Sequence, residues 1–118
     1  MTLKEFQSII TKAIKNLPSE FKEILEKNEI SIIPREEVPL SLKEIYKGGT
    51  LFGVFIGVPY GRFVNFQLEP TRIELYKNSF ESYYSNQDEI EKQIIITVVH
   101  EIAHYFGFSE EKIRKLGY

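Results

Sequence analysis

The chain carries two histidines, four residues apart, with a glutamate directly after the first: His100-Glu101-Ile102-Ala103-His104. On an α-helix, residues four apart lie one above the other on the same face. Two imidazoles so placed can hold one zinc ion, and the glutamate between them can reach a water on that metal. The spacing therefore predicts a metal-assisted hydrolytic site, with His100 and His104 as ligands and Glu101 as general base.

A five-residue pattern arises often by chance, so its setting decides its weight. A helix over about Gln87 to Phe106, turning about 100° per residue, puts Gln93, Thr97, Glu101 and His104 within about 100° of His100 on one side. Isoleucine, valine, alanine and aromatic residues fill the rest of the circumference. Such a helix is buried over most of its surface and keeps one narrow polar stripe, on which both histidines and the glutamate lie. Two blander readings fit less well. Core histidines satisfied by carbonyls would leave a buried glutamate in need of its own partner, at a cost of several kcal/mol. A solvated polar face would need more polar surface than this helix has.

A catalytic zinc usually has three protein ligands and an open position. There is no cysteine, so thiolate sites are excluded and histidine and carboxylate must serve. Gly107, three residues after the second histidine, ends the helix and reverses the chain, so Glu110 can fold back toward the metal. Glu111 is the other candidate, and either acid also suits the start of a following helix. Zn²⁺ is the expected ion, although this donor set suits other divalent ions too.

The elements that must position these residues are legible in part. Leu3, Phe6, Ile10, Ile14 and Leu17 mark the apolar face of a helix from Thr2, its N-cap, to about Asn16, ended by Pro18. Ser19 is read as the cap of a second helix with Phe21, Ile24 and Leu25 inward. Ile30 to Ile33 reads as a short strand stopped by Pro34. The stretch 35–50 reads as an irregular loop with one helical turn at Leu42 to Tyr46. Leu51 to Val58 is the strongest strand, in which Gly53 and Gly57 allow a bulge or a close backbone approach. Tyr60 to Pro70 reads as a loop, and Thr71 to Tyr76 as a strand pairing antiparallel with 51–58. Asn78 to Tyr84 reads as helical. Ser85 is the expected N-cap of the long helix, and Ser109 that of a last one, Glu110 to about Leu116.

The composition narrows the function further. With 118 residues, 42% of them hydrophobic and 14% aromatic, the chain reads as one domain over 1–118 with an ordinary core. A net charge of −2 gives no electrostatic footprint for nucleic acid. No run of about 18 apolar residues is present to span a membrane. The first residues lack a signal peptide's apolar run, which makes a cytoplasmic location the default expectation. Isoleucine, lysine and glutamate dominate, a bias similar to that of proteins from hot-living organisms. Oligomeric state is left open.

The full string from His100 to Glu111, of the form His-Glu-x-x-His-x-x-Gly-x-x-Glu, resembles the metzincin motif with an acid as third ligand. It also resembles the hallmark of the minimal zincin-like metallopeptidases, a family of small bacterial proteins. Leu51-Phe-Gly-Val-Phe-Ile-Gly-Val-Pro59 and Arg72-Ile-Glu-Leu-Tyr76 are similar to that family's two central strands, so the resemblance spans roughly 51–116.

The resemblance implies an α+β zincin-like core: a short mixed or antiparallel sheet packed against N-terminal helices and a long buried active-site helix. It implies His100 and His104 as zinc ligands, Glu101 as general base, Glu110 as third ligand, and a peptide or protein as substrate. Two departures stand out. Glu110 occupies a position where the family commonly has aspartate, and no methionine follows it to floor the metal site. An extended peptide could add to an edge strand, for which Thr71 to Tyr76 is the candidate. Tyr60, Arg62, Arg72, Tyr105 and Tyr118 are weak candidates for oxyanion stabilisation, with Tyr105 assigned rather to the core. The rival reading is a catalytically inactive zincin scaffold that binds metal or acts through protein contacts.

Overall fold

The computed structural model describes residues 1–57 and 71–118. Val58, Pro59 and the expected loop from Tyr60 to Pro70, with Tyr60 and Arg62, lie outside the described residues. The architecture is α+β, with six helices and a three-stranded mixed sheet among the described residues.

The chain opens with α1, Leu3–Lys15. Thr2 caps it as expected: its hydroxyl accepts from the Glu5 N–H at 3.1 Å, and the Glu5 carboxylate accepts from the Thr2 N–H at 3.1 Å. Phe6, Ile9, Ile10 and Ala13 are buried, and the helix packs along both the long helix and the first strand. Helix α2, Ser19–Lys27, follows. Ser19 is its first helical residue rather than its cap: Pro18 takes the N-cap position, where a missing N–H costs nothing, and no side chain caps the helix.

Strand β1, Ser31–Arg35, runs through Pro34 instead of stopping there. It lies at one edge of the sheet, parallel to its neighbour, and an edge tolerates a residue without an N–H where that group would face outward. After α3, Leu40–Ile45, which buries none of its residues, comes β2, Gly53–Ile56. Strand β3, Arg72–Tyr76, lies between the other two and pairs antiparallel with β2, as expected from the sequence. Because β3 is central, it has no free edge to offer a peptide. That corrects the edge-strand assignment, and among the described residues the edges belong to β1 and β2.

Helix α4, Lys77–Tyr83, leads into α5, Gln87–Tyr105, the long helix. Its cap is Asn86 and not Ser85: the Asn86 side chain accepts from the Asp88 N–H at 2.7 Å and from the Glu89 N–H at 3.4 Å. Ile90, Ile94, Val98, Val99, Ile102 and Ala103 of α5 meet Ile73 and Leu75 of β3 and the apolar face of α1 in one core. The last helix, α6, is Glu110–Lys115, capped by Ser109, whose hydroxyl accepts from the Lys112 N–H at 3.1 Å.

The strand alternation of β3 puts Glu74 and Tyr76 on the opposite face from Ile73 and Leu75. Glu74 is buried with two cations on one oxygen: its Oε2 accepts from Arg72 Nε at 2.9 Å and from Arg35 Nη2 at 3.2 Å. Burial pushes the Glu74 carboxyl upward, but the hydrogen bonds and charges of Arg72 and Arg35 outweigh it and hold the group below its ordinary value. Burial, with the adjacent Glu74 charge, pushes the Tyr76 phenol up to about 12. Arg72 is thus tied to a carboxylate on this face, away from its suggested role as an oxyanion partner.

Candidate functional site

The site is built on the last turns of α5. Gln93, Thr97, His100 and Glu101 line one wall of an open cleft of about 400 Å³, and the segment Thr50–Gly53 lines the other. The narrow polar stripe expected from the helical period therefore faces this cleft and not the core. His104, one turn on, is exposed.

The sheet and the helix approach closely here. A Cβ on Gly53 would stand 2.8 Å from Leu75 Cδ2, 3.0 Å from the Glu74 carbonyl oxygen and 3.1 Å from Thr97 Cγ2. Only a glycine lets α5 lie this near to β2, the close-approach reading of the sequence; the pairing through Gly53 is continuous and shows no bulge. Thr97 turns its hydroxyl back to the Gln93 carbonyl at 2.7 Å.

The pairing also decides which main-chain groups of β2 face away from β3. Tyr76 N–H donates to the Phe52 carbonyl at 2.9 Å, so Phe52 and Tyr76 form a hydrogen-bonded pair. Alternation along an antiparallel ladder then turns the N–H and C=O groups of Gly53 and Phe55 outward, away from β3. The outward N–H of Phe55 is directed toward the Glu101 carboxylate and favours its charged form. Burial pushes the Glu101 carboxyl up from its ordinary value, against the opposing influence of His104, the Phe55 amide and His100. The Phe55 ring stacks on Tyr105, with centroids 3.9 Å apart and planes 15° from parallel. Tyr105 is half-buried and is not one of the buried core residues to which the sequence reading assigned it.

Beyond His104 the helix ends at Phe106, and Gly107 adopts a φ of +77°, the left-handed conformation that glycine tolerates best. The N–H of Phe108 reaches back to the Ala103 carbonyl at 2.7 Å and that of Gly107 to the His104 carbonyl at 3.2 Å, closing a glycine-type C-cap. The reversal brings Glu110 back: its Oε1 lies 3.3 Å from His104 Nε2. Glu111, the other candidate, points to Lys115, 3.4 Å away. His100 and His104 have ring centroids 5.9 Å apart, and His100 Nε2 lies 3.1 Å from the main-chain oxygen of Tyr118. Tyr118 thus meets the site through its backbone, which can only accept from the imidazole.

The donor chemistry fits a divalent metal. Two imidazoles on successive turns of one helix and a carboxylate 3.3 Å from one of them are the nitrogen, nitrogen and oxygen donors that an open zinc site would use. His104 and Glu110 converge already, while His100 is turned to Tyr118 and would trade that contact for the metal. Among the described residues no three histidine or acidic side chains are gathered into a ready-made ligand group. Sequence reasoning missed Phe55, whose amide and ring hold Glu101 and Tyr105. A strand residue gives no local sign of which helix its outward N–H will meet.

The sequence model of the zincin-like metallopeptidases matches residues 28–118, from just before β1 through α6. The chain belongs to the zincin-like metallopeptidase family. No curated protein matches it. The match begins well before residue 51, where the sequence resemblance was seen to begin, and takes in β1 and α3. No helix among the described residues is long and apolar enough to cross a membrane.

Proposed function

We propose that the protein is a zinc-dependent peptidase in which His100, His104 and Glu110 hold the metal and Glu101 is the general base. The observation that carries this reading is the return of Glu110 to within 3.3 Å of His104 Nε2 across the Gly107 turn, on the stripe that also bears His100 and Glu101. Family membership supports it.

When bound, zinc supplies Lewis acidity toward a carbonyl oxygen and makes a water more acidic. The protein's own residues do the rest. Glu101, raised by burial and standing at the β2 edge, takes a proton from the attacking water and passes it to the leaving amine. The outward N–H and C=O groups of Gly53 and Phe55 can pair with an extended peptide, which β2 would receive as an added strand. The peptide's carbonyl then replaces Glu101 on the Phe55 N–H and leaves the carboxylate free to act. A single domain and no nucleic-acid partner belong to the same reading, on length, composition and charge alone.

The test is metal content by mass spectrometry on untagged protein prepared without chelator, followed by a peptide-library digest. About one zinc per chain with cleavage abolished in Glu101→Gln is the expected result. A fully loaded protein that cleaves nothing, together with a stable partner in pull-downs, would leave the inactive scaffold as the answer.

A further inference from the structure

The cleft at His100 and Glu101 does not end at β2. Its far wall, Thr50 and Leu51, is also the wall of a second groove of about 260 Å³ that continues toward α3 and is lined by Val38, Leu42 and Tyr46. Helix α3 is unusual in this chain, since none of its residues is buried. Leu40 and Ile45 are more than 70% exposed and Tyr46 about half. Exposed apolar side chains clustered beside a cleft mark a binding surface more often than idle surface does.

The main chain connects the groove to the site in a fixed register. Outward-facing groups recur at every second residue of β2, at Gly53 and Phe55, and the ladder extends to Phe52 through its bond to Tyr76. The Phe55 ring stacks on Tyr105, one turn beyond Glu101 on α5, which puts Phe55 beside the reacting bond. Leu51 is four residues away along the strand, about 13 Å at the rise of an extended chain. A peptide added antiparallel to β2, the slightly stronger pairing, runs from Phe55 toward Leu51 and carries its C-terminal side over the groove.

We propose that Leu42, Tyr46 and Leu51 form a specificity pocket for a bulky apolar side chain three or four residues C-terminal to the cleaved bond. The substrate class is then an extended peptide with an aromatic or branched aliphatic residue at that place. This rests on the peptidase reading for the identity of the cleaved bond, but the pocket itself is a binding property and can be measured without turnover.

The experiment measures binding of fluorescent decapeptides to the full-length Glu101→Gln protein by anisotropy, with Phe, Ala or Asp placed at each position in turn. The same panel is digested with zinc-loaded wild-type protein. At one position Asp should weaken binding at least about tenfold relative to Phe, the usual worth of an apolar group in its pocket. Tyr46→Ala and Leu42→Ser should each erase most of that preference; Tyr46 is exposed enough that its loss leaves the fold intact. A preference that survives both substitutions, or no apolar preference at any position, overturns the proposal. So does a dimer that dissociates on Tyr46→Ala, which would give the face to a second copy of the chain. Cleavage with unchanged ratios in the variants sinks the pocket and keeps the peptidase, whereas preference without cleavage keeps the pocket and sinks the peptidase.

Discussion

The main-chain N–H of Phe55, turned outward from β2, is directed toward the carboxylate of Glu101, the acid between the two histidines of α5. In the proposed mechanism this contact joins the residue that would move the proton to the strand that would receive the substrate. It also separates the two costs that a substitution at Glu101 would reveal.

The first is catalytic. Glu101→Gln keeps the shape and can still accept from Phe55 but cannot take a proton. Hydrolysis of any cleaved peptide should fall by about 10²- to 10⁴-fold, read from initial rates at matched zinc loading. An unchanged rate would remove Glu101 from the chemistry.

The second is a stability effect with a definite pH sign. A carboxyl whose folded value is raised binds its proton more tightly in the native state than in the unfolded one, so the native state is weakened as pH rises through that range. In chelator-treated protein, Glu101→Gln should therefore raise the melting temperature at pH 7 to 8. The gain should disappear below the ordinary carboxylate range, where both proteins carry a neutral group. Equal shifts at both pH values would show that the carboxyl is not strained by its burial.

Glu74 should behave in the opposite way. Its folded value is depressed, so its contribution is present above the ordinary carboxylate range and is lost as pH falls through the folded value. Glu74→Gln leaves Arg72 and Arg35 without their carboxylate, at a cost of up to about 3 kcal/mol near neutral pH, since Arg35 remains half in water. Urea unfolding of the two proteins at pH 7 and pH 3 should show the difference shrinking in acid.

The two glutamates after the glycine turn should separate in metal binding. Glu110→Gln should weaken zinc affinity by more than the roughly 10- to 100-fold typical of outer-shell partners, while Glu111→Gln, whose neighbour is Lys115, should leave it within error. Competition titration with a zinc chromophore distinguishes them. Equal losses would mean that the two acids act only through general charge.

Gly53→Ala tests the close approach of β2 and α5. The added methyl would meet Leu75, the Glu74 backbone and Thr97 within about 3 Å, an overpacking that costs about 1–3 kcal/mol. Activity should fall along with the melting temperature, because the strand that holds Glu101 moves with it. A silent substitution would show that the helix can yield at no cost.

The sequence by itself determined the parts of this protein that depend on local chemistry. The period of 3.6 placed His100, Glu101 and His104 on one stripe of α5, the cap signals fixed α1 at Thr2 and α6 at Ser109, and Gly107 ended the long helix where the chain had to turn. Each of these follows from dihedral preferences and hydrogen bonds within a few residues. Local signals were weaker where two neighbours offer the same chemistry: Ser85 and Asn86 can both cap, and only the backbone conformation at Asn86 gave it the N–H groups of Asp88 and Glu89.

What the tertiary structure alone decided is the order of strands and everything that crosses between elements. Nothing in Arg72–Tyr76 announces a central strand, because alternation specifies a buried face and not which edges are paired. Pro34 could stay within β1 because, among the described residues, that strand is an edge. The meeting of Phe55 with Glu101 and Tyr105, and the groove running from Leu51 to α3, join residues far apart in the chain. Their placement depends on how α5 packs across β2, a non-local choice made by the core as a whole.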